Sequence, residues 1–202
     1  MGGIAILIPA AGASRRMRGI DKLLQQVDGL PLLRRQVLRA CAVADHVTVT
    51  LPDADHPRAA ALSGLGVQLV EVPDSDLGMS ASIRRGVAFL PRSLDAVMIV
   101  PADMPEISED DLRSIIKGFR SEAHATLQQG TSQDGQPGHP VLFPADCIPS
   151  LMSLNGDRGA RAVIDANRHR LRHVALPDDH ALTDLDTPEA WAAWRGAEPA
   201  LP

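Results

Sequence analysis

In the first half of the chain, short apolar runs alternate with stretches whose apolar residues recur at helical spacing. The run Ile4-Ala5-Ile6-Leu7-Ile8, closed by Pro9, predicts a first strand over 4–9. HVTVTLP (46–52), VQLVEVP (67–73) and DAVMIVP (95–101) predict three more. Between them, Leu33, Val37 and Leu38 set a helix over 31–42, and 56–62 suits a short helix. Ile83, Val87 and Leu90 share one face of a helix over 80–90. Near-continuous apolar strands separated by helices point to a parallel sheet covered on both faces.

The pattern changes after residue 107. Ser108, followed by Glu109-Asp110-Asp111, opens a helix over 108–119. The serine hydroxyl can accept from an orphan amide, and the carboxylates suit the positive helix end. A strand over 126–129, a polar turn region GTSQDGQPG (130–138) and an extended run HPVLFP (139–144) then read as a hairpin-like excursion with a long loop. A helix over 157–166 and a strand over 172–176 follow. Thr187-Pro188 starts the last helix, with Thr as N-cap and Pro at the first helical position. The expected fold is α/β: a single-domain three-layer α/β/α sandwich with a mostly parallel, Rossmann-like sheet and an antiparallel excursion in its second half. The domain is expected over 1–197, with a flexible tail over 198–202.

Composition narrows the function classes. The chain has 202 residues, enough for one sizeable core, and 45% of them are hydrophobic. A formal net charge of −5 disfavours a general nucleic-acid binder. Aromatics make up 2% and tyrosine is absent, so base-stacking platforms are not expected and the core must be aliphatic. Cys41 and Cys147 lie far apart, in no CxxC or zinc spacing, and read as two small buried hydrophobes in a reducing compartment. There is no signal-peptide pattern and no apolar run near the ~20 residues of a membrane span. The expected location is cytoplasmic, with neither nucleic acid nor membrane as partner.

Several short stretches could carry chemistry. In IPAAGASRRM, the small residues Ala10, Ala11, Gly12, Ala13 and Ser14 follow Pro9 at the carboxyl edge of the first strand, where ligands bind in open α/β sheets. They let a phosphate chain approach the backbone amides. Arg15, Arg16 and Lys22 can neutralise a triphosphate. The stretch is neither GxGxxG nor GxxxxGK[ST]. In PADMP, Asp103 stands just past a buried strand, at the same edge, and suits Mg²⁺, which takes one or two carboxylates besides water and phosphate; an Asp-x-Pro turn is the plain alternative. In DLDTP, Asp184 and Asp186 point the same way along an extended segment. Asp186 either joins Asp103 at a divalent cation or serves the adjoining helix start. Ser80 and Ser82 of GMSAS, after Gly78, either cap a helix or donate to a nucleobase. His139 in GHP, and Arg158 and Arg161 in GDRGAR, complete the set.

In this order, PAAGASRRM…DK, GMSASIRRGV, PADMP, GQPGHPVLF, GDRGAR and DLDTPEAW resemble the molybdenum cofactor nucleotidyltransferases, within the glycosyltransferase-A-like nucleotidyltransferase superfamily. The resemblance spans residue 8 to about 191. The guanylyltransferase branch typically has LAGG in the first loop; PAAG at 9–12 and Ser80-Ala81-Ser82 look more like the cytidylyltransferase branch. The resemblance therefore implies transfer of CMP from CTP to the terminal phosphate of molybdopterin, with release of pyrophosphate. It implies nucleotide binding at Pro9, Ala10, Ala11, Gly12, Ser14, Gly78, Ser80 and Ser82, and catalytic roles for Arg16, Lys22 and Asp103. It places Mg²⁺, or Mn²⁺ as the alternative, on Asp103 and Asp186, and the acceptor beside His139, Arg158 and Arg161. A labile product suggests handover to a molybdoenzyme or its chaperone. A guanylyltransferase of the same family, a sugar-phosphate nucleotidylyltransferase and a non-catalytic nucleotide-binding regulator remain as alternatives.

Overall fold

The computed structural model describes residues 3–156 and 159–197. The first strand, β1 (Gly3–Pro9), is followed by a small antiparallel pair, β2 (Gln26–Val27) with β3 (Leu30–Pro31), and then by helix α1 (Leu32–Cys41). Strand β4 (His46–Leu51), helix α2 (Pro57–Ala61), strand β5 (Gln68–Glu71), helix α3 (Met79–Ala88) and strand β6 (Leu94–Ile99) complete the first half. Helix α4 (Glu109–Ser121) leads into β7 (Leu127–Thr131) and β8 (Pro137–Pro144). Helices α5 (Ile148–Met152) and α6 (Arg161–Ala166), strand β9 (Leu171–Ala175) and helix α7 (Pro188–Ala197) close the chain.

Seven strands form one sheet in the order β5-β4-β1-β6-β8-β7-β9. All run the same way except β8, which is antiparallel to both β6 and β7. The expected three-layer sandwich with its antiparallel excursion is therefore present. Alternation along β1 shows why the layers form. Ile4, Ile6 and Ile8 face one side and pack with Leu33 and Val37 of α1 and Leu112, Ile115 and Ile116 of α4. Leu7 faces the other side, against Ile83 and Val87 of α3, Leu151 of α5 and Val163 of α6. Each fully buried aliphatic side chain contributes about 1.5–3 kcal/mol. No helix among the described residues is long and apolar enough to cross a membrane.

Two elements depart from the sequence reading. The strand expected over 67–73 shortens to Gln68–Glu71, because β5 is a sheet edge and only Val70 is buried within it. The helix expected over 157–166 begins at Arg161, and residues 157–158 lie outside the described residues. Helix α5 and the β2–β3 pair had no periodic signal, being five and two residues per element. Cys41 is exposed rather than buried; both thiols are free, and burial pushes Cys147 up to about 11.

The segment after β9 is what completes the site edge. It returns along the end of the sheet, fastened strand by strand through backbone hydrogen bonds. Leu176 N donates to Thr131 O at 2.9 Å on β7, His139 N on β8 donates to Ala181 O at 2.9 Å, and Leu185 N donates to Asp103 O at 3.1 Å past β6. A side chain anchors its middle: Asp111, which closes the capping box of α4 with Ser108, also meets His180 Nδ1 at 2.8 Å. At Gly138 the returning segment lies so close that a Cβ would collide with the Ala181 carbonyl, which is backbone and cannot rotate away. Gly138→Ala should therefore destabilise the protein by about 1–3 kcal/mol, as overpacking does; a lowered urea midpoint with an unchanged denaturant slope checks this.

Candidate active site

The order β4-β1-β6 places a topological switch between β1 and β6. The chain leaves β1 towards β4 and β5, then returns to β6 on the other side. Ligands of open α/β sheets bind in the crevice outside the carboxyl ends at such a point. The loop after β1 and the turn after β6 meet there. Ala10 N is tied to Thr50 O at 3.0 Å, and both Ala10 and Ala11 are buried. Ser14 adopts the left-handed conformation at φ 49° and begins the 3₁₀ turn Arg15–Met17. The N–H groups of Ala11, Gly12, Ala13 and Ser14 donate to no acceptor among the described residues. Consecutive free amides in a small-residue loop are an anion cradle.

Lys22 lies at the start of the 3₁₀ turn Lys22–Leu24, capped by Asp21, whose carboxylate accepts from Leu23 N at 3.0 Å. Its ammonium reaches two carboxylates at once: Asp103, in a very short contact, and Asp186 at 2.5 Å. Arg16 meets the other oxygen of Asp186 at 2.5 Å. Burial works to lower the Lys22 pKa, but the two carboxylates outweigh it and hold it above its ordinary value. Burial likewise works to raise Asp186, but Lys22 and Arg16 prevail and hold it below the usual carboxylate range. Asp184 is raised, by burial first and then by repulsion from Asp186 and Asp103. Between the two aspartates, Leu185 turns inward against Trp191 of α7. This locks the alternation that aims Asp186 at the cleft.

Asp103 and Asp186, 83 residues apart in sequence, thus converge on a single cationic point. Among the described residues there is no group of three or more His, Cys, Asp or Glu arranged to hold a metal. Two converging carboxylates with hard oxygen donors are nevertheless what Mg²⁺ or Mn²⁺ needs when phosphate and water complete its shell. The residues present fit such an ion.

The remaining expected residues divide in two groups. Gly78, at φ 86°, turns the chain into α3 beside the loop after β1, where Ala11, Val72 and Ala81 pack together. Ser80 and Ser82 are buried in that helix, and Ser80 Oγ makes no hydrogen bond. Ser80 Oγ is thus an unpaired polar atom at the expected base side, and neither serine caps the helix, whose N-cap is Gly78. On the other side, a cleft of about 1060 Å³ crosses the sheet from Pro9 to β9. Its floor includes the cross-strand row Ile99, Val141, Gln129 and His173. Arg161 and Arg168 of the α6 region border it, and His139 lines it next to Asp103. His139 is exposed at its surface, yet partial desolvation in the cleft works to lower its pKa, opposed by Asp103. Arg158 lies outside the described residues. Arg15 turns away and pairs with Asp76 on the surface. The sequence reading missed Arg58, buried behind the loop; a lone arginine in the alanine-rich PRAAA helix was the available signal.

Residues 6–174 match the family described as the MobA-like NTP transferase domain. The chain belongs to this family. It is a nucleotidyltransferase. Among relatives of the MobA-like domain, a probable molybdenum cofactor guanylyltransferase of Natronomonas pharaonis is 30% identical over 200 residues, covering 94% of this chain and 95% of that protein. The purine catabolism protein PucB of Bacillus subtilis is 28% identical, covering 93% and 94%. The crystal structure of Rv0371c from Mycobacterium tuberculosis superposes with a TM-score of 0.83 at 25% identity, covering 97% of this chain and 99% of that one. A structure of Rv0371c has also been solved in complex with manganese, with a TM-score of 0.77.

Asp103→Asn and Asp186→Asn should each weaken Mn²⁺ binding in the presence of a nucleoside triphosphate by about tenfold or more, which is about 1.4 kcal/mol per decade. Titration of free Mn²⁺ by electron paramagnetic resonance measures this directly.

Proposed function

We propose that this chain transfers a nucleoside monophosphate from a nucleoside triphosphate to the terminal phosphate of a molybdopterin-type acceptor and releases pyrophosphate. The observation that carries the reading is the convergence of Asp103, Asp186, Lys22 and Arg16 between two open sides: free loop amides on one, the long cleft on the other. Charges placed midway between a donor pocket and an acceptor pocket suit in-line transfer at phosphorus. The acceptor half of the reading is supported by the name of the Natronomonas relative, which matches this chain along nearly all of its length.

The donor's triphosphate lies over residues 10–14, held by the free amides, Arg16 and Lys22, with its base towards Gly78, Ser80 and Ser82. Asp103 and Asp186 would hold Mg²⁺ or Mn²⁺. When bound, that ion withdraws charge from phosphate oxygens and steadies the developing negative charge. His139 and Arg161 face the acceptor. One oxygen of the acceptor's terminal phosphate forms the new bond to the α-phosphorus, as the bond from that phosphorus to the β-bridging oxygen breaks. The electron pair leaves with pyrophosphate. A phosphate monoester is already anionic at neutral pH, so the attacking oxygen needs no general base, and no covalent enzyme intermediate arises. The side chains contribute position and charge neutralisation.

For the donor, the relative's name supports GTP over the CTP expected from the sequence. CTP stays as the second reading on one observation: Ala11, where the guanylyltransferase branch typically has glycine, is buried and packed with Val72 and with Ala81 of the Ser80–Ser82 segment. A pyrophosphate-release screen of GTP, CTP, ATP and UTP with Mg²⁺ and molybdopterin-type acceptor separates the readings. Turnover with GTP supports the first and turnover with CTP the second. No pyrophosphate from any nucleotide would sink the proposal. Asp103→Ala should lower the active rate by about 10²–10³-fold, the loss typical when one charge-stabilising group is removed.

A further inference from the structure

Behind the loop after β1 sits a buried guanidinium that the reaction itself does not use. The Arg58 side chain is 2% exposed, and its helix α2 begins where His56 Nδ1 accepts from Arg58 N at 3.3 Å. All of its donors are engaged. Nε and one terminal nitrogen fork onto the Asp21 carboxylate at 2.7 and 2.8 Å, and that second nitrogen also reaches Ser14 Oγ at 3.1 Å. The other terminal nitrogen donates to the carbonyls of Ala10 at 2.5 Å and Gly12 at 2.8 Å. An arginine has five N–H donors, and five contacts are made here.

We propose that Arg58 is a positioning residue that sets the phosphate-binding geometry of the 10–14 loop and ties it to Lys22. The argument begins from the planar trans peptide, in which the C=O of one residue and the N–H of the next point opposite ways. Arg58 draws the carbonyls of Ala10 and Gly12 towards itself. The N–H groups of Ala11 and Ala13 must then point away from it, and both are free among the described residues. Without that pull, carbonyl oxygens could turn to the anion's side and repel it. The same guanidinium grips Asp21, and Asp21 caps the turn that presents Lys22. One side chain therefore sets the register between the amide cradle and the lysine.

The energetics favour this role over simple stabilisation. Burying a guanidinium costs several kcal/mol, and an apolar packing of equal volume is often as stable as a buried ion pair. What the apolar packing cannot supply is a fork that orients two carbonyls, a hydroxyl and a carboxylate together. Lysine cannot supply it either, being a single point charge with three donors.

The inference rests on the loop being the triphosphate site, so its deciding test is nucleotide binding measured without any acceptor. Calorimetric titration of GTP and CTP with Mg²⁺ would be run on the parent protein, Arg58→Lys, Arg58→Ala and Asp21→Asn, each at a temperature where circular dichroism shows it folded. In the folded Arg58 variants, nucleotide affinity should fall by about tenfold. In Asp21→Asn, which leaves the loop carbonyls gripped but loosens the fork, it should fall by about threefold. In steady state, KM for the nucleotide should rise while KM for the acceptor stays level. A lowered melting temperature with nucleotide affinity within twofold of the parent in the folded variants overturns the proposal, because that is what a merely structural arginine would give. Should Arg58→Ala and Arg58→Lys both fail to fold, Asp21→Asn decides by the same twofold limit. A parent that binds nucleotide but turns over no molybdopterin-type acceptor refutes the proposed acceptor and leaves this inference to the variants. A parent that binds no nucleotide refutes both.

Discussion

Two carboxylates from distant parts of the chain repel each other, and in this protein a lysine stands between them. Asp103 and Asp186 meet at Lys22 because their segments are fixed by other means: Asp103 by the end of β6, Asp186 by Leu185 buried against Trp191. The ammonium offsets a repulsion that would be worth several kcal/mol in a partly buried site. The direction of each pKa follows: Lys22 is held charged, Asp186 is held ionised, and Asp184, which Lys22 does not reach, is pushed up. A site that already balances a positive charge between two acids is poised for a metal bound to phosphates.

The fold exists around that point in a specific sense. The parallel half of the sheet delivers strand ends, and hence the loop of 10–14 and Asp103, to one edge. The reversed strand β8 does the opposite: its beginning lies at that edge, so Gly138 and His139 arrive there rather than at the far side. The segment after β9 then has somewhere to dock, and its backbone bonds to β7, β8 and the Asp103 turn carry Asp186 home. An all-parallel sheet would have needed another connection to achieve this. The antiparallel excursion is therefore part of how the site closes.

Much of this was legible in the chain. Strand β1 announced itself as an apolar run because both its faces are covered, and α4 because Ser108 stands as N-cap before three carboxylates. The site lay in residue types whose local cost has no local reward: an aspartate after a buried strand, two more flanking a leucine, three cations near a small-residue turn. What stayed hidden has a common cause. Helix α5 is too short to show a period, the partnership of Lys22 with both acids spans most of the chain, and Arg58 looks like surface charge until the loop folds over it. Ser80 and Ser82, read as helix caps or base donors, lie buried and cap nothing, because helix α3 begins at Met79 and takes them inside. Pairings across tens of residues leave no trace in periodicity or spacing.

The two halves of the cleft differ in how they are made, and this bears on what each can change. The half proposed for the nucleotide is largely backbone: free amides over 11–14 among the described residues, with the carbonyls of Ala10 and Gly12 held from behind by Arg58. Such a surface reads charge and shape. The half proposed for the acceptor is side chains on a rigid floor, grading along one row from Ile99 and Val141 to Gln129 and His173, with Arg161 and Arg168 beside them. Substitutions along that row alter what is recognised without moving a strand, because each side chain projects from a paired backbone position. Substitutions in the loop have no such freedom, since its backbone depends on a buried fork with every donor engaged. Under the proposed function, acceptor choice is therefore the adjustable property, and phosphate binding the constrained one.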